Sequence, residues 1–198
     1  MTYYSRLGSA SIVLLIVTLQ PLFAEETVDV PEKAIGDKLA EAKVHSCENS
    51  DERVGTLTLL ERVSEEGIKL VDVELEIFGE SLEPGKHAVH IHETAACTPC
   101  SAAKGHFDPG PNSNSSPDGN HPFHMGDLPN IEVDENNRGR LWTTTSRITL
   151  SDGPLSIFDE DGSAVIVHVG ADTYCPEGEK AGCAGGARAA CGVIKRVE

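Results

Sequence analysis

Positive charge is scarce in this chain. Sixteen Lys and Arg stand against 32 Asp and Glu, for a formal net charge of −16. That balance argues against nucleic acid or an anionic membrane as a partner, because both attract clustered cations. An apolar run long enough to span a bilayer comfortably is also missing: the stretch from Ile12 to Phe23 is short and interrupted by Gln20 and Pro21. After residue 43 no helical stripe of any length appears, and no repeat recurs at a fixed period. Cys97 and Cys100 form a C-x-x-C, but no second such pair exists to complete a zinc ribbon.

What is present begins with the amino terminus. One Arg, an apolar run and a small residue at Ala24 give residues 1–24 the pattern of a secretory signal peptide. Its removal would take away only Arg6, leaving a mature chain slightly more acidic still and expected to be free of the membrane; a retained N-terminal anchor is the alternative. All six cysteines lie beyond that segment, and an even count in an exported chain points to disulfides in an oxidising compartment. Six cysteines allow fifteen connectivities, and sequence alone does not choose among them. Cys175 and Cys183 bracket the short loop "CPEGEKAGC" and are expected to pair.

Residues 25–41 are charged and poor in aromatics, and read as a flexible lead outside the core. The domain proper is expected over 42–198. There the pattern acquires a period of two: "VGTLTLLERV" (54–63), "VELEIF" (73–78), "RLWTTTSRITL" (140–150) and "SAVIVHVG" (163–170) alternate apolar or β-branched residues with polar ones. Turn signals such as "EPG", "DGP" and "DEDG" separate them. An antiparallel β-sandwich or barrel follows, with two long loops over 93–137 and 170–188 that hold most of the Gly, Pro, Asn, Cys and His. Loops of that length in a compact domain are usually functional.

Histidine carries the chemistry. In "KHAVHIHE" (86–93), residues two apart on a strand face one way, so His90 and His92 point together while His87 points opposite. Such a pair can deliver two imidazoles to one ion at about 2 Å each. His168 sits on another strand among apolar neighbours, and His106 stands in "GHFDP" in the first long loop. Convergent imidazoles without thiolate suit copper, zinc or nickel better than calcium or magnesium. His45 and His87 are read as ordinary structural histidines.

Five segments, "HAVHIHE", "GHFDP", "HMGDLPN", "VIVHVGAD" and "GGARAACGVI", occur in an order and spacing that resemble copper–zinc superoxide dismutase of the periplasmic bacterial type, over about 42–194. The resemblance implies an eight-stranded antiparallel Greek-key β-barrel. It implies copper ligands His90, His92, His106 and His168, with His106 shared between copper and zinc. It makes His124 and Asp127 zinc ligands, and Asp172 a carboxylate that orients histidines of both sites. Arg188 would dock the superoxide anion. Cys191 would pair with a cysteine of the long loop: the bacterial spacing, five residues after the His-x-His pair, selects Cys97, whereas the non-bacterial spacing would select Cys100.

By the same resemblance the function is superoxide dismutation: two superoxide anions and two protons become oxygen and hydrogen peroxide through a copper that cycles between two states. A periplasmic location and a monomer or homodimer are expected. The acidity of the chain opposes an anionic substrate at long range, so cations at the site mouth must reverse the field; Arg188 and Lys180 are the candidates, with Lys104 a weaker one. One departure stands out. The family has another zinc histidine before a Pro-acid-Gly turn, but here Asn114, Ser115 and Ser116 precede "PDG". His121, in "NHPFHMGD", is the candidate replacement. The competing reading is a non-enzymatic copper-binding or copper-buffering protein on the same fold with a weakened zinc site.

Overall fold

Alternation of apolar and polar residues becomes a closed barrel when the last strand finds the first. The computed structural model describes residues 38–109, 124–174 and 182–197. Its strands are β1 (Lys38–Ser46), β2 (Arg53–Val63), β3 (Lys69–Ile77), β4 (Gly85–His92), β5 (Asp127–Val133), β6 (Gly139–Thr145), β7 (Ala164–His168), β8 (Arg188–Val193) and β9 (Lys195–Arg196). Every pairing is antiparallel. The order β2-β3-β6-β5-β4-β7-β8-β1 closes through a β1–β2 ladder, and β9 adds a short pairing to β1. The connections β3–β4 and β6–β7 each pass over two intervening strands, which is Greek-key topology. This is the expected eight-stranded barrel, with β9 as an addition. Closure pairs each of the eight barrel strands on both sides and leaves only the two-residue β9 at an edge.

Inward positions follow the period of two. Leu57 and Leu59 on β2, Val71, Val73 and Leu75 on β3, and Val165 and Val167 on β7 are fully buried, while Glu74 and Glu76 stay on the outer face. Three sequence expectations need correction. The lead does not extend to 41, because Lys38–Glu41 already pair in β1 with Thr58–Glu61 of β2. The long loop does not run from 93 to 137, because Asp127–Val133 form β5. Pro129 masks that strand in the sequence, yet it occupies an exposed position while Leu128, Ile131 and Val133 are buried. Strand β6 ends at Thr145, and Ile148 and Leu150 enter the core from the connection that follows.

That connection is held by a buried carboxylate. Glu61 Oε2 on β2 accepts the N–H groups of Leu150 (2.5 Å) and Ser151 (2.9 Å). Burial pushes its pKa up, but the hydrogen bonds from Ser151 and Leu150, with the charge of Lys69, outweigh burial and hold it below the ordinary value. A carboxylate lowered in this way contributes stability above its unfolded pKa, and the contribution disappears as pH falls. Glu61→Gln is therefore expected to cost about 1–3 kcal/mol in urea unfolding at pH 7. The gap between wild type and variant should narrow below about pH 4.5, the unperturbed value. A gap independent of pH would contradict this role.

Candidate metal centre

Strand β4 lies between β5 and β7, so both of its edges are paired, and residues 87–92 are all buried. His90 and His92 project from it to one side. His106 is brought alongside by a bridge to His92 and by a triangle of backbone hydrogen bonds. Phe107 N–H donates to Ile91 O, Gly126 N–H to Phe107 O, and Ile91 N–H to Gly126 O, each at 2.8 Å. A Cβ at Gly126 would stand 2.3 Å from Ile91 O, so only glycine permits the approach. His168 ends β7 opposite Arg188 of β8. At Gly185 (φ +94°) a Cβ would lie 2.7 Å from that of His168, which explains the glycine there.

The four rings share one hydrogen-bonding logic. His90 Nε2 donates to Asp172 Oδ2 (3.0 Å), His92 Nδ1 to Lys104 O (2.9 Å), His106 Nδ1 to Asp127 Oδ1 (2.7 Å) and His168 Nδ1 to Gly186 O (2.9 Å). Because each partner is an acceptor, the proton sits on the bonded nitrogen and the other nitrogen keeps its lone pair. Those other atoms, His90 Nδ1 and the Nε2 of His92, His106 and His168, are buried with no hydrogen-bond partner. The ligand atoms of the four residues lie within 4.8 Å of one another. Desolvation chiefly, with the neighbouring imidazoles and Arg188, depresses His92 well below the ordinary value and His168 to about 3. Burial is again the main cause for His106, lowered to about 4 despite the opposing effect of Asp127. At neutral pH these three rings are uncharged donors of electron pairs.

A second group adjoins the first. Atoms of His106, His124 and Asp127 also gather within 4.8 Å. Asp127 Oδ2 accepts the His124 N–H at 2.9 Å. Burial raises the Asp127 pKa, but the hydrogen bonds from His106 and His124 more than reverse this and keep it far below the carboxylate range. His106 is thus common to both clusters.

Outer residues hold these positions, and some were not foreseen. Tyr174 N–H donates to Asp172 Oδ1 (2.7 Å), and the Asn130 amide brackets the Asp172 backbone, accepting from its N–H (2.8 Å) and donating to its C=O (3.0 Å). Arg147 donates to the Asp127 carbonyl. His87, set aside from the ligands, is buried with its ring nitrogens 2.8 Å from His168 O and Glu83 O. His87 is thus the structural histidine expected, while Asn130 went unnoticed because an amide bracket on a distant backbone carries no sequence signature.

Arg188 is half-buried, and its guanidinium donates to Cys100 O (2.6 Å) and to Lys104 O. Burial lowers its pKa from the ordinary arginine value, but a guanidinium stays charged. The Lys104 carbonyl therefore receives both Arg188 and His92, a ring of the four-histidine cluster. Lys104 Nζ lies 3.4 Å from Asp161 Oδ2, so its charge is largely offset at the mouth. Disulfides join Cys97 to Cys191 and Cys47 to Cys100, and Cys183 is also disulfide-bonded. His121, Lys180 and Cys175 lie outside the described residues.

Four orphaned, desolvated imidazole nitrogens fit a transition metal that prefers nitrogen, and two imidazoles with a carboxylate fit zinc. A closed antiparallel β-barrel bearing two adjoining groups of candidate metal ligands around one common histidine defines the class. The family model for Copper/zinc superoxide dismutase (SODC) matches residues 53–194. The chain is 37% identical over 139 residues to the Cu-Zn superoxide dismutase of Deinococcus radiodurans, covering 63% of this chain and 70% of that one. It is 35% identical over 163 residues to Cu-Zn superoxide dismutase 1 of Aquifex aeolicus, covering 78% and 89%. A crystal structure of a SOD-like protein from Bacillus subtilis superposes with a TM-score of 0.57 at 28% identity, over 77% of this chain and 95% of that one. The chain belongs to the copper/zinc superoxide dismutase family, and the family's metals are copper and zinc.

The lowered histidine pKa values predict an acid-labile metal-free protein. A ring neutral when folded and protonated when unfolded favours unfolding below its unfolded pKa. Stability present above about pH 6.5 is thus lost towards pH 4 and below. The melting temperature of metal-free protein should fall steadily from pH 7 to 4.5; a flat profile would contradict the burial of neutral rings.

Proposed function

We propose that this chain is an exported superoxide dismutase, an oxidoreductase that turns two superoxide anions and two protons into oxygen and hydrogen peroxide. The observation that carries this reading is the gathering of four buried imidazoles beside a guanidinium fixed by two carbonyls. His90, His92, His106 and His168 would hold copper, which supplies one-electron chemistry by alternating between its two oxidation states.

The chain's own groups do the remaining work. Arg188 offers a permanent positive charge and a planar fork to a small anion next to those rings. Its influence survives the charge of the rest of the protein because salt screens bulk charge beyond roughly 8–10 Å. Lys180 is proposed to assist it in drawing superoxide inward. His106 Nε2 would carry the proton passed to the reduced substrate, while Asp127 keeps the ring in place from the Nδ1 side. Asp172 fixes the tautomer of His90. His106, His124, Asp127 and, as a fourth ligand, His121 would hold zinc.

A copper-buffering protein needs no guanidinium locked beside its ligands. Arg188, His106 and the Cys97–Cys191 tether are all present, which favours turnover. Disulfides support an oxidising compartment, and the periplasm fits the family resemblance and the leader-like first residues.

Arg188→Ala is expected to lower kcat/KM for superoxide by roughly ten- to hundredfold while copper content stays unchanged, since one preorganised cationic group is removed. Sensitivity to competing anions should fall with it; an unchanged rate would remove Arg188 from the mechanism. For zinc, metal analysis of His121→Ala expressed with both metals should give less than wild-type zinc. Equal zinc in the two proteins would end the ligand assignment.

A further inference from the structure

Arg188 is fixed by a carbonyl that belongs to a disulfide-bonded residue, and that disulfide is not the one joining its own strand to the loop. Arg188 Nη1 donates to Cys100 O at 2.6 Å, Cys100 is bonded to Cys47, and Cys47 N–H donates to Ala189 O at 2.8 Å. Ala189 follows Arg188 in the chain. The links therefore close a ring that runs from the guanidinium through Cys100 and Cys47 back to the backbone beside Arg188. The second disulfide, Cys97–Cys191, lies outside this ring.

We propose that Cys47–Cys100 is a positioning disulfide for Arg188, setting where the guanidinium sits and hence how well the site takes a small anion. The proposal rests on the reading of Arg188 as the anion-docking group. Without this bond the loop remains fixed on both sides. Cys97 holds to Cys191, and Glu93 N–H still donates to Gly105 O (3.0 Å) while Gly105 N–H donates to Glu93 Oε1 (3.1 Å). Between those anchors the short helix Cys100–Ala103 is left with local turns, Ala102 N–H to Pro99 O (2.8 Å) and Lys104 N–H to Ser101 O (3.1 Å).

The two carbonyls that receive Arg188, at Cys100 and Lys104, both lie within that stretch. Of the candidate metal ligands only His92 touches that stretch, through Nδ1–H to Lys104 O at 2.9 Å, and its backbone is held in β4. His90 and His92 belong to β4, His168 to β7, and His106 is tied to β4 through His92 and Phe107. Loss of the bond should thus disturb the anion site far more than the metal site.

The test compares Cys47→Ser with Cys100→Ser, made together, against wild type and against Arg188→Ala, all copper-loaded. Azide is titrated by the change in copper(II) visible absorption. Hydrogen exchange is followed over residues 98–106 in the metal-free forms. Copper content should match wild type. Exchange at Ala102 and Lys104 should quicken, and azide affinity should weaken on the order of tenfold, since ångström-scale misplacement of a binding group has effects of that size or more. In an Arg188→Ala background, removing the disulfide should cause no further loss, because both changes act on one group.

Unchanged azide affinity in the double variant, with a loss in Arg188→Ala, would overturn the disulfide's role and leave the reading of Arg188 intact. Equal losses with and without Arg188 would overturn it as well. No loss in Arg188→Ala alone would instead sink the docking role of Arg188, and this proposal with it. Should the double variant fail to fold, Cys47→Ala carries the same comparison, because it removes the bond at the partially exposed Cys47 and leaves the buried Cys100 side chain unchanged.

Discussion

A buried imidazole with one nitrogen satisfied and the other bare is unstable company for three more of its kind. Leaving a polar atom desolvated and unpaired costs about 1–3 kcal/mol, and here four such atoms face one small volume. The arrangement makes sense as a ligand set whose protonation has been decided in advance. Asp172, Asp127 and the carbonyls of Lys104 and Gly186 each take one N–H, so each ring presents a lone pair and not a proton. Much of the surrounding architecture keeps those four acceptors where they are.

The barrel does this with short, rigid strands and two sewn loops. Strand β4 supplies two rings and β7 a third, and the Greek-key crossings bring the Asp172 region and β5 together so that Asn130 can bracket the Asp172 backbone. The loop before His106 has almost no regular structure. Its order comes from two covalent links and from the guanidinium that donates into it. Closing long segments in this way restricts the unfolded chain by about 2–4 kcal/mol per bond. In this region the same links serve stability and the shape of the anion site.

Charge presents the complementary constraint. A protein at −16 repels a small anion at a distance, and the described cations near the mouth are few. Lys104 is paired with Asp161, whereas Arg188 spends its donors on neutral carbonyls and so keeps its charge uncompensated. Hydrogen-bonding a guanidinium to carbonyls fixes its plane without neutralising it.

The sequence made the metal-bearing strands legible because side-chain direction on a strand depends only on parity: His90 and His92 share a face, and the apolar neighbours of His168 mark a buried strand. Strand β5 was hidden by Pro129, whose exposed position can be known only after the barrel closes. The first half of β1 was hidden by its charged residues, of which Glu41 and Lys43 are exposed while Ala40, Ala42 and Val44 are buried. The Cys47–Cys100 pairing and the work of Asn130, Arg147 and His87 depend on contacts between residues far apart in the chain, and residue type alone does not reveal them.

Electron paramagnetic resonance of protein loaded with one equivalent of copper(II) tests the gathered imidazoles most directly. A single tetragonal signal with nitrogen superhyperfine structure, lost stepwise when His92 or His168 is replaced by Ala, is the expected result. A spectrum dominated by oxygen ligands, or one that ignores those replacements, would contradict it.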